Sequence, residues 1–435
     1  MHSYRAAVEY LFRLQQFGIK LGLNNTRALL RWWGRPEQAY PVVHVAGTNG
    51  KGSTCAFIAS ILAEAGYRVG LYTSPHLVDF RERIRVDGKP IPRTAVLEYT
   101  RALRPLVDAR RATFFEATTV MAFRYFADAG VDVAIIETGL GGRLDATNVV
   151  HPLVNVITGI ALDHAEHLGG TVEAIAREKA GIIKRGVPVV IGAMTAPARK
   201  VIADAARRKG APLRESPAEV TLLTIRDFDR MDFTHTHSGV PMRFRSPLAG
   251  VHQAANAALA LTVAEILAER GVPLSPHHAR LGIAGVKRRT GIAARLERLS
   301  KAPEIIVDVA HNPDGIRTAL ATWTSLRPPE RTHLVFGLGR AKDLDGVLAC
   351  IRRWPWLSIR AVDCDATEIR PARGIAARAV QLGVKVMEGG DVVTGMAEAA
   401  ESLPDDEHIL LLGSHFIVGA WLARMQETCL PPAVP

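Results

Sequence analysis

VVHVAGTNGKGS, residues 42–53, sets the reading of the whole chain: an apolar β-branched run enters a glycine turn carrying one lysine, and a helical pattern follows over residues 54–65. Gly47, Gly50 and Gly52 let backbone amides face an anion without Cβ obstruction, with Thr48 and Asn49 completing the turn. Lys51 supplies a mobile positive charge, and the following helix aims its N-terminus at the same place. Ser53 is positioned to hold Mg²⁺. Strand, turn and helix in this order predict a nucleotide phosphate site. The spelling departs from G-x-x-x-x-G-K-[ST], because Val45 stands at its first glycine and Gly52 separates Lys51 from Ser53.

A second constellation lies downstream. VDVAII, residues 131–136, reads as a buried strand ending in Glu137 and running into TGLGGRLDATN, residues 138–148. Open α/β sheets bind their ligands beyond the carboxyl ends of parallel strands, so Glu137 is a candidate metal ligand. Residues 153–160 form another strand pattern, closing on Asp163 and His164. Glu137 and His164 are expected to end neighbouring strands and to reach one hard cation beside the phosphate loop.

Read for organisation, the chain begins with a helical segment over 4–33 and continues as strands alternating with helices. Strands are expected at 42–46, 68–72, 131–137, 153–160 and 187–191. Residues 220–245 alternate differently and predict a small antiparallel addition ahead of a helix over 252–270. A loop-like region at 285–294 then precedes a fresh βα series, with strands at 304–309, 333–336, 358–362, 384–387 and 408–412. The fold class is therefore α/β: a P-loop-containing, doubly wound N-terminal ATPase domain, 1–290, and a smaller Rossmann-like α/β C-terminal domain, 291–435. No solenoid repeat or low-complexity tract is visible.

Composition bounds the partners. A length of 435 residues with 48% hydrophobic content suits two or three packed domains. The net charge of +11 suits polyanionic small substrates. No basic run interleaved with aromatics, no zinc spacing and no RNA-binding signature accompanies it, so no nucleic-acid partner is expected. The four cysteines, Cys55, Cys350, Cys364 and Cys429, show no C-x-x-C pairing and read as free thiols of a reducing compartment. The N-terminus lacks a secretory pattern, and the apolar stretch 409–423 is short and interrupted by Ser414 and His415. A cytoplasmic protein with no membrane partner is expected.

Nine segments in order resemble folylpolyglutamate synthase and dihydrofolate synthase, within the Mur ligase superfamily. They are GTNGKGS (47–53), TSPHL (73–77), ERI (82–84), IIETGLGGRLDATN (135–148), ALDH (161–164), REKAGIIK (177–184), HQAAN (252–256), DVAHNP (308–313) and GSHF (413–416). The resemblance implies two domains closing over ATP, with Asn256 at the adenine, Asp308 at the ribose and Arg295 at the phosphates. Where the family carries Gly-Arg, this chain has Ala294-Arg295, a departure that bears on the local backbone angle. Lys179 reads on residue type alone as a solvated helix lysine. The resemblance instead implies a carbamylated lysine there, which helps bind a second Mg²⁺; carbamylation is required because an ammonium has no lone pair for a metal. Ser74, Glu137 and His164 form the implied first metal set, with Lys179 and Ser53 near the second ion.

The implied reaction is attack of a substrate carboxylate on the γ-phosphate of ATP, followed by displacement of phosphate by the amine of L-glutamate. Lys51 and Lys179 would support catalysis, with His311 and Ser414 placing glutamate. On residue type, His311 and Ser414 also fit ordinary turn and capping roles. The pterin-bearing acceptor, dihydropteroate or a folate, is expected near Gly18, Ile19, Lys20, Leu21, Phe115, Glu116 and Asp145. A single monomeric protein is expected to serve both acceptors. A Mur-type peptidoglycan ligase is disfavoured, because about forty residues ahead of Gly47 are too few for a separate UDP-binding domain. The glycine-lysine turn would also suit a P-loop kinase or a nucleotide-dependent switch, and an ATPase assay with and without pteroate and glutamate separates all of these activities.

Overall fold

The structure, a computed structural model, describes residues 1–429 apart from Ile19, Leu21, His164, residues 217–220, Ser238 and Ser402. Seventeen described strands form three sheets. The first holds β1 (Val42–Ala46), β2 (Val69–Tyr72), β3 (Ile84–Val86), β4 (Lys89–Pro90), β5 (Val133–Glu137), β6 (Val154–Ile157), β7 (Val189–Ile191) and β8 (Leu213–Glu215). Their spatial order is β4-β3-β2-β5-β1-β6-β7-β8, and only the β2–β3 and β3–β4 pairs are antiparallel.

All five residues of β1 are buried, as a parallel strand covered on both faces requires. Val43 and Val45 pack against helices Lys51–Glu64, Val251–Glu269 and Pro276–Thr290. On the other face Val42 joins the core under helix Phe114–Asp128, and Ala46 the core under Val172–Ala180 and Ala196–Lys209. Helices thus cover both faces. The chain leaves β1 for β2 on one side and later lays β6 on the other, so the crevice beyond the end of β1 is a topological switch point. Glu137 and the segment after β6 therefore flank β1 rather than end adjacent strands, which corrects the neighbour relation expected from sequence.

The second large sheet contains β12 (Glu297–Lys301), β13 (Glu304–Val307), β14 (Thr332–Phe336), β15 (Ser358–Asp363), β16 (Met387–Asp391) and β17 (His408–Leu412), in the order β12-β13-β17-β14-β15-β16. All its pairs except β12–β13 are parallel, with helices on both faces. Between the two bodies lies the expected antiparallel addition, β9 (Thr221–Asp227), β10 (Arg230–His237) and β11 (Val240–Ser246). It ties them together. Phe233 and Phe244 enter the core of the first body, whereas Phe228 stacks on Trp323 of the second at 5.2 Å between ring centroids.

Four expectations need correction. The N-terminal segment is two helices, Tyr4–Arg13 and Asn24–Trp32, with a 3₁₀ turn at Leu14–Phe17 between them. The helix after the phosphate loop starts at Lys51, three residues early. Residues 285–290 are not loop but the end of helix Pro276–Thr290. Its glycines serve close packing: a Cβ on Gly282 would lie 2.5 Å from Ile61 Cα, and the Ser60 hydroxyl donates to the Gly282 carbonyl at 2.7 Å. The strand expected at 384–387 is β16, starting at Met387, because Val384 is used as a buried core contact ahead of it. Val251–Glu269, the one described helix long and apolar enough to cross a membrane, has 67% of that stretch buried inside the protein.

Candidate functional site

The phosphate loop is anchored to the segment after β6. Thr48 N donates to the Gly159 carbonyl at 2.8 Å, the Thr48 hydroxyl accepts from Ala161 N at 3.1 Å, and the Thr158 hydroxyl donates to Asn49 O at 2.7 Å. Gly47 is obligatory here, since a Cβ would fall 1.7 Å from Thr158 Oγ1. Gly50, at φ +84°, turns the chain into the helix and brings the loop against Asn256. Lys51 Nζ donates to Thr48 O at 3.1 Å, and Gly52 and Ser53 follow on the wall of the same cavity.

That cavity, about 360 Å³, is lined from both large bodies. Glu137 enters it from the end of β5, only 3% exposed, and accepts from Ser74 N at 3.1 Å. Burial raises its pKa, opposed chiefly by Lys51. Lys179 is also 3% exposed and donates to the Gly47 carbonyl at 2.6 Å. Burial and the Lys51 charge push its pKa down to about 7. The solvated-lysine reading from residue type is thereby overturned. Arg295 is half-buried on the wall of this cavity, within electrostatic reach of Asp308 and Glu137, its guanidinium donating to Ala294 O at 3.1 Å. Both neighbours of Arg295 are left-handed, Ala294 at φ +54° and Leu296 at +44°. The family's glycine would suit the first of these angles, and here Asp308 holds the turn instead, accepting from Leu296 N at 2.8 Å and Ala310 N at 2.7 Å.

Contacts across the cavity join the bodies. The Asn49 amide donates to Asn312 Oδ1 at 3.2 Å and Asp314 Oδ2 at 3.0 Å, and Asn312 donates back to Asn49 and to Asp163. Lys342 Nζ meets Asp163 Oδ1 at 2.6 Å, with side-chain exposures of only 15% and 9%. A hydrogen bond to a charged group of this kind contributes about 1.5 to 3 kcal/mol. Lys342→Met is accordingly expected to loosen the closed arrangement, seen as a larger radius of gyration by small-angle scattering; an unchanged radius would deny Asp163 and Lys342 that role.

His311 lies on the cavity wall, its Nε2 3.7 Å from Asp163 and its Nδ1 bonded to Val309 O at 2.9 Å. Ser414 does not line the cavity. Its hydroxyl accepts from Phe416 N at 3.1 Å and caps helix His415–Cys429, leaving His415 on the wall.

A second cavity, about 400 Å³, shares Ser74, Pro75, Gly139 and Leu140 with the first. Gly18, Lys20, Phe115, Glu116 and Asp145 are brought together on its wall; Ile19, Leu21 and His164 lie outside the described residues. Two of these carboxylates are already engaged. Glu116 closes a capping box with Thr113, and Asp145 accepts from Gly139 N at 2.9 Å and Leu140 N at 2.8 Å, fixing the shared wall. Phe115 packs so closely on Gly139 that a Cβ there would sit 2.3 Å from its ring. Lys20 donates to Arg111 O at 2.7 Å.

Residues 45–264 match the Mur ligase middle domain and residues 294–415 the Mur ligase glutamate ligase domain. The dihydrofolate synthase/folylpolyglutamate synthase of Bacillus subtilis (strain 168) is 37% identical over 80% of this chain and 82% of its own. The folylpolyglutamate synthase of Lacticaseibacillus casei is 34% identical over 96% and 97%. The chain belongs to the folylpolyglutamate synthase/dihydrofolate synthase family of Mur ligases. The fold agrees: Mycobacterium tuberculosis folylpolyglutamate synthase, complexed with ADP and AMPPCP, superposes with a TM-score of 0.86 at 32% identity, over 99% of this chain and all of that one. Membership makes the protein an ATP-dependent, ADP-forming ligase that joins glutamate to folates.

Within that family framework, several cavity residues escaped the sequence reading. His252 Nδ1 and Ser216 Oγ are buried without partners on the wall of the first cavity, two orphaned polar atoms next to Gln253 and Asn256. HQAAN carried a signal for His252; Ser216 carried none. Asp163 sat in a quoted segment, whereas its partner Lys342, 179 residues away, had no local signature.

Proposed function

We propose that this enzyme ligates L-glutamate to both dihydropteroate and tetrahydrofolate in a single centre, through an acyl phosphate. The observation carrying this reading is that the phosphate-loop cavity and the Phe115 cavity share a wall at Ser74 and Gly139. An acceptor held in the second cavity presents its carboxylate beside Lys51 and Glu137. One carboxylate oxygen attacks the γ-phosphorus, the bond to ADP breaks, and the amine of glutamate then attacks the acyl carbon and expels phosphate. Lys51 and Arg295 stabilise the charge gathered on the phosphoryl oxygens. Asn256 meets the adenine and Asp308 the ribose, while His311 orients glutamate and Ser414 aims the helix that carries His415.

Mg²⁺ belongs to the same reading. The buried Glu137 carboxylate has one amide donor and free acceptor capacity, and Ser53 and Ser74 offer hydroxyls, a hard oxygen set that fits this ion. Ser74, Glu137 and His164 would hold one ion, and Ser53 with a carbamylated Lys179 a second. Among the described residues, which leave out His164, no group of three His, Cys, Asp or Glu is placed to hold a metal, and ATP would supply further oxygens. When bound, Mg²⁺ neutralises phosphate charge. Domains at 1–290 and 291–435, a monomeric state and a cytoplasmic location complete the proposal; Cys55, Cys350 and Cys364 are free thiols.

Purified protein with ATP, Mg²⁺ and L-glutamate should release ADP and form an amide with each acceptor. Dihydropteroate labelled with ¹⁸O in its carboxylate should deliver one label to phosphate. Reaction with one acceptor alone would reduce the enzyme to a monofunctional synthase, and unlabelled phosphate would exclude the acyl phosphate.

A further inference from the structure

Arg83 stands out among the groups that the reaction above leaves unused. It ends the 3₁₀ turn Phe80–Arg83 immediately before β3, is 7% exposed, and lines the second cavity. Its Nε donates to His76 Nδ1 at 2.8 Å, and its guanidinium carbon sits 5.0 Å over the Phe114 ring. His76 stacks on Phe12, which stacks on Phe114, so the guanidinium is held in a rigid aromatic bracket. His76 Nδ1 accepts this bond, so the Nε edge of Arg83 is already engaged.

The bracket engages only one edge of the guanidinium. Among the described residues no carboxylate forms an ion pair with Arg83, and its two terminal nitrogens have no acceptor. Glu82 accepts from Leu77 N, Val78 N and Asp79 N, Asp145 from Gly139 N and Leu140 N, Glu116 through one oxygen from Thr113 and Asn25, and Glu137 from Ser74 N. Glu137 and Glu82 act on Arg83 through space without pairing with it, and a desolvated arginine with no paired carboxylate suits a bidentate anion held in the cavity that it lines. The other cavity cation, Lys20, is exposed and bonded to a carbonyl.

Two acceptors compete for this cavity, and their carboxylates differ in number. Dihydropteroate has one, which reacts. A glutamylated folate ends in glutamate, which has two, so whichever one reacts leaves the other to be placed in the same cavity. We propose that Arg83 grips this spare carboxylate and so determines how well glutamylated acceptors are used relative to dihydropteroate. The inference rests on the two-acceptor reading of the preceding subsection and deepens it. Arg83 is then a positioning and specificity residue, whose contribution falls on one substrate only.

The test compares Arg83→Met with the parent by fluorescence titration with folate and with pteroate, which differ by the glutamyl unit alone. Folate affinity is expected to fall about 30-fold or more, on the scale of losing one partner of a buried charged pair, and pteroate affinity less than about 3-fold. In turnover, kcat/KM for tetrahydrofolate should fall in the same ratio relative to dihydropteroate, mostly through KM. Arg83→Lys, which keeps charge but not the fork, should lie between. Equal losses for the two ligands, or no loss, would overturn the proposal. Where the variant fails to fold, the parent protein decides the matter with a folate whose non-reacting carboxylate is an amide, which must bind at least about 30-fold more weakly than folate itself. If the parent ligates neither acceptor, the two-acceptor reading fails, while the folate-to-pteroate binding ratio still tests Arg83.

Discussion

Lys51→Ala is expected to keep the fold and lose ligation by a factor on the order of a hundred to a thousand, the cost of removing a preorganised positive charge from a developing oxyanion. Lys51 is the first residue of its helix, and its ammonium makes one hydrogen bond in the structure, to the Thr48 carbonyl within its own turn. The loop is held by Thr48, Asn49 and their contacts with residues 158–161, which the substitution leaves intact. Thermal unfolding should therefore change little while ADP release and amide formation fall together. Normal turnover in a folded Lys51→Ala protein would remove this loop from the chemistry, and loss of folding would make Lys51 structural instead.

The loop was legible because its physics is local. Gly50 is needed within its own turn for a left-handed φ, whereas Gly47 answers to a close approach by Thr158 from far along the chain. Glycines used for packing are a different matter. Gly282 and Gly285 resemble breakers, yet they lie in a helix whose close approach to Ile61 is a fact about two segments more than two hundred residues apart. Lys51, Glu137 and Asp163 converge because the ends of β1 and β5 and the segment after β6 converge, and strand periodicity alone does not say that β1 lies between the other two. Arg83 was visible only as a letter of the ERI segment. Its significance is that no carboxylate among the described residues pairs with it, which appears when the neighbours are in place.

Roles inferred from chemistry fared unevenly for the same reason. A carboxylate in a candidate pocket invites a binding role; Asp145 already engages both oxygens, with backbone amides and the Thr147 hydroxyl, and Glu116 one of its two, with Thr113 and Asn25. Both line the second cavity with these bonds in place. Ser414 likewise caps a helix and puts its neighbour His415 on the cavity wall, so a motif carried by sequence marks the place more reliably than it marks the contacting atom.

Lys179→Ala should be the second severe lesion, lowering ligation by at least about a hundredfold if the residue carries a carbamate that completes the phosphate site. The reasoning begins with burial. An ammonium at 3% exposure, beside Lys51, is disfavoured, and the amine is correspondingly easy to deprotonate. A neutral amine adds CO₂ with release of one proton and becomes an N-carboxylate. The product keeps one N–H, so the 2.6 Å bond to the Gly47 carbonyl survives the modification, while two oxygens replace a charge of the wrong sign for Mg²⁺. Alanine removes both the bond and the oxygens; a short carboxylate such as acetate, added in solution, can restore the oxygens alone. Partial recovery of Lys179→Ala by acetate, together with reversible loss of parental activity in CO₂-depleted buffer, is the expected pair of results. An unmodified Lys179 in the electron density of a crystallised ATP–Mg²⁺ complex, or full activity after CO₂ depletion, would leave it as a buried amine that braces Gly47 and nothing more.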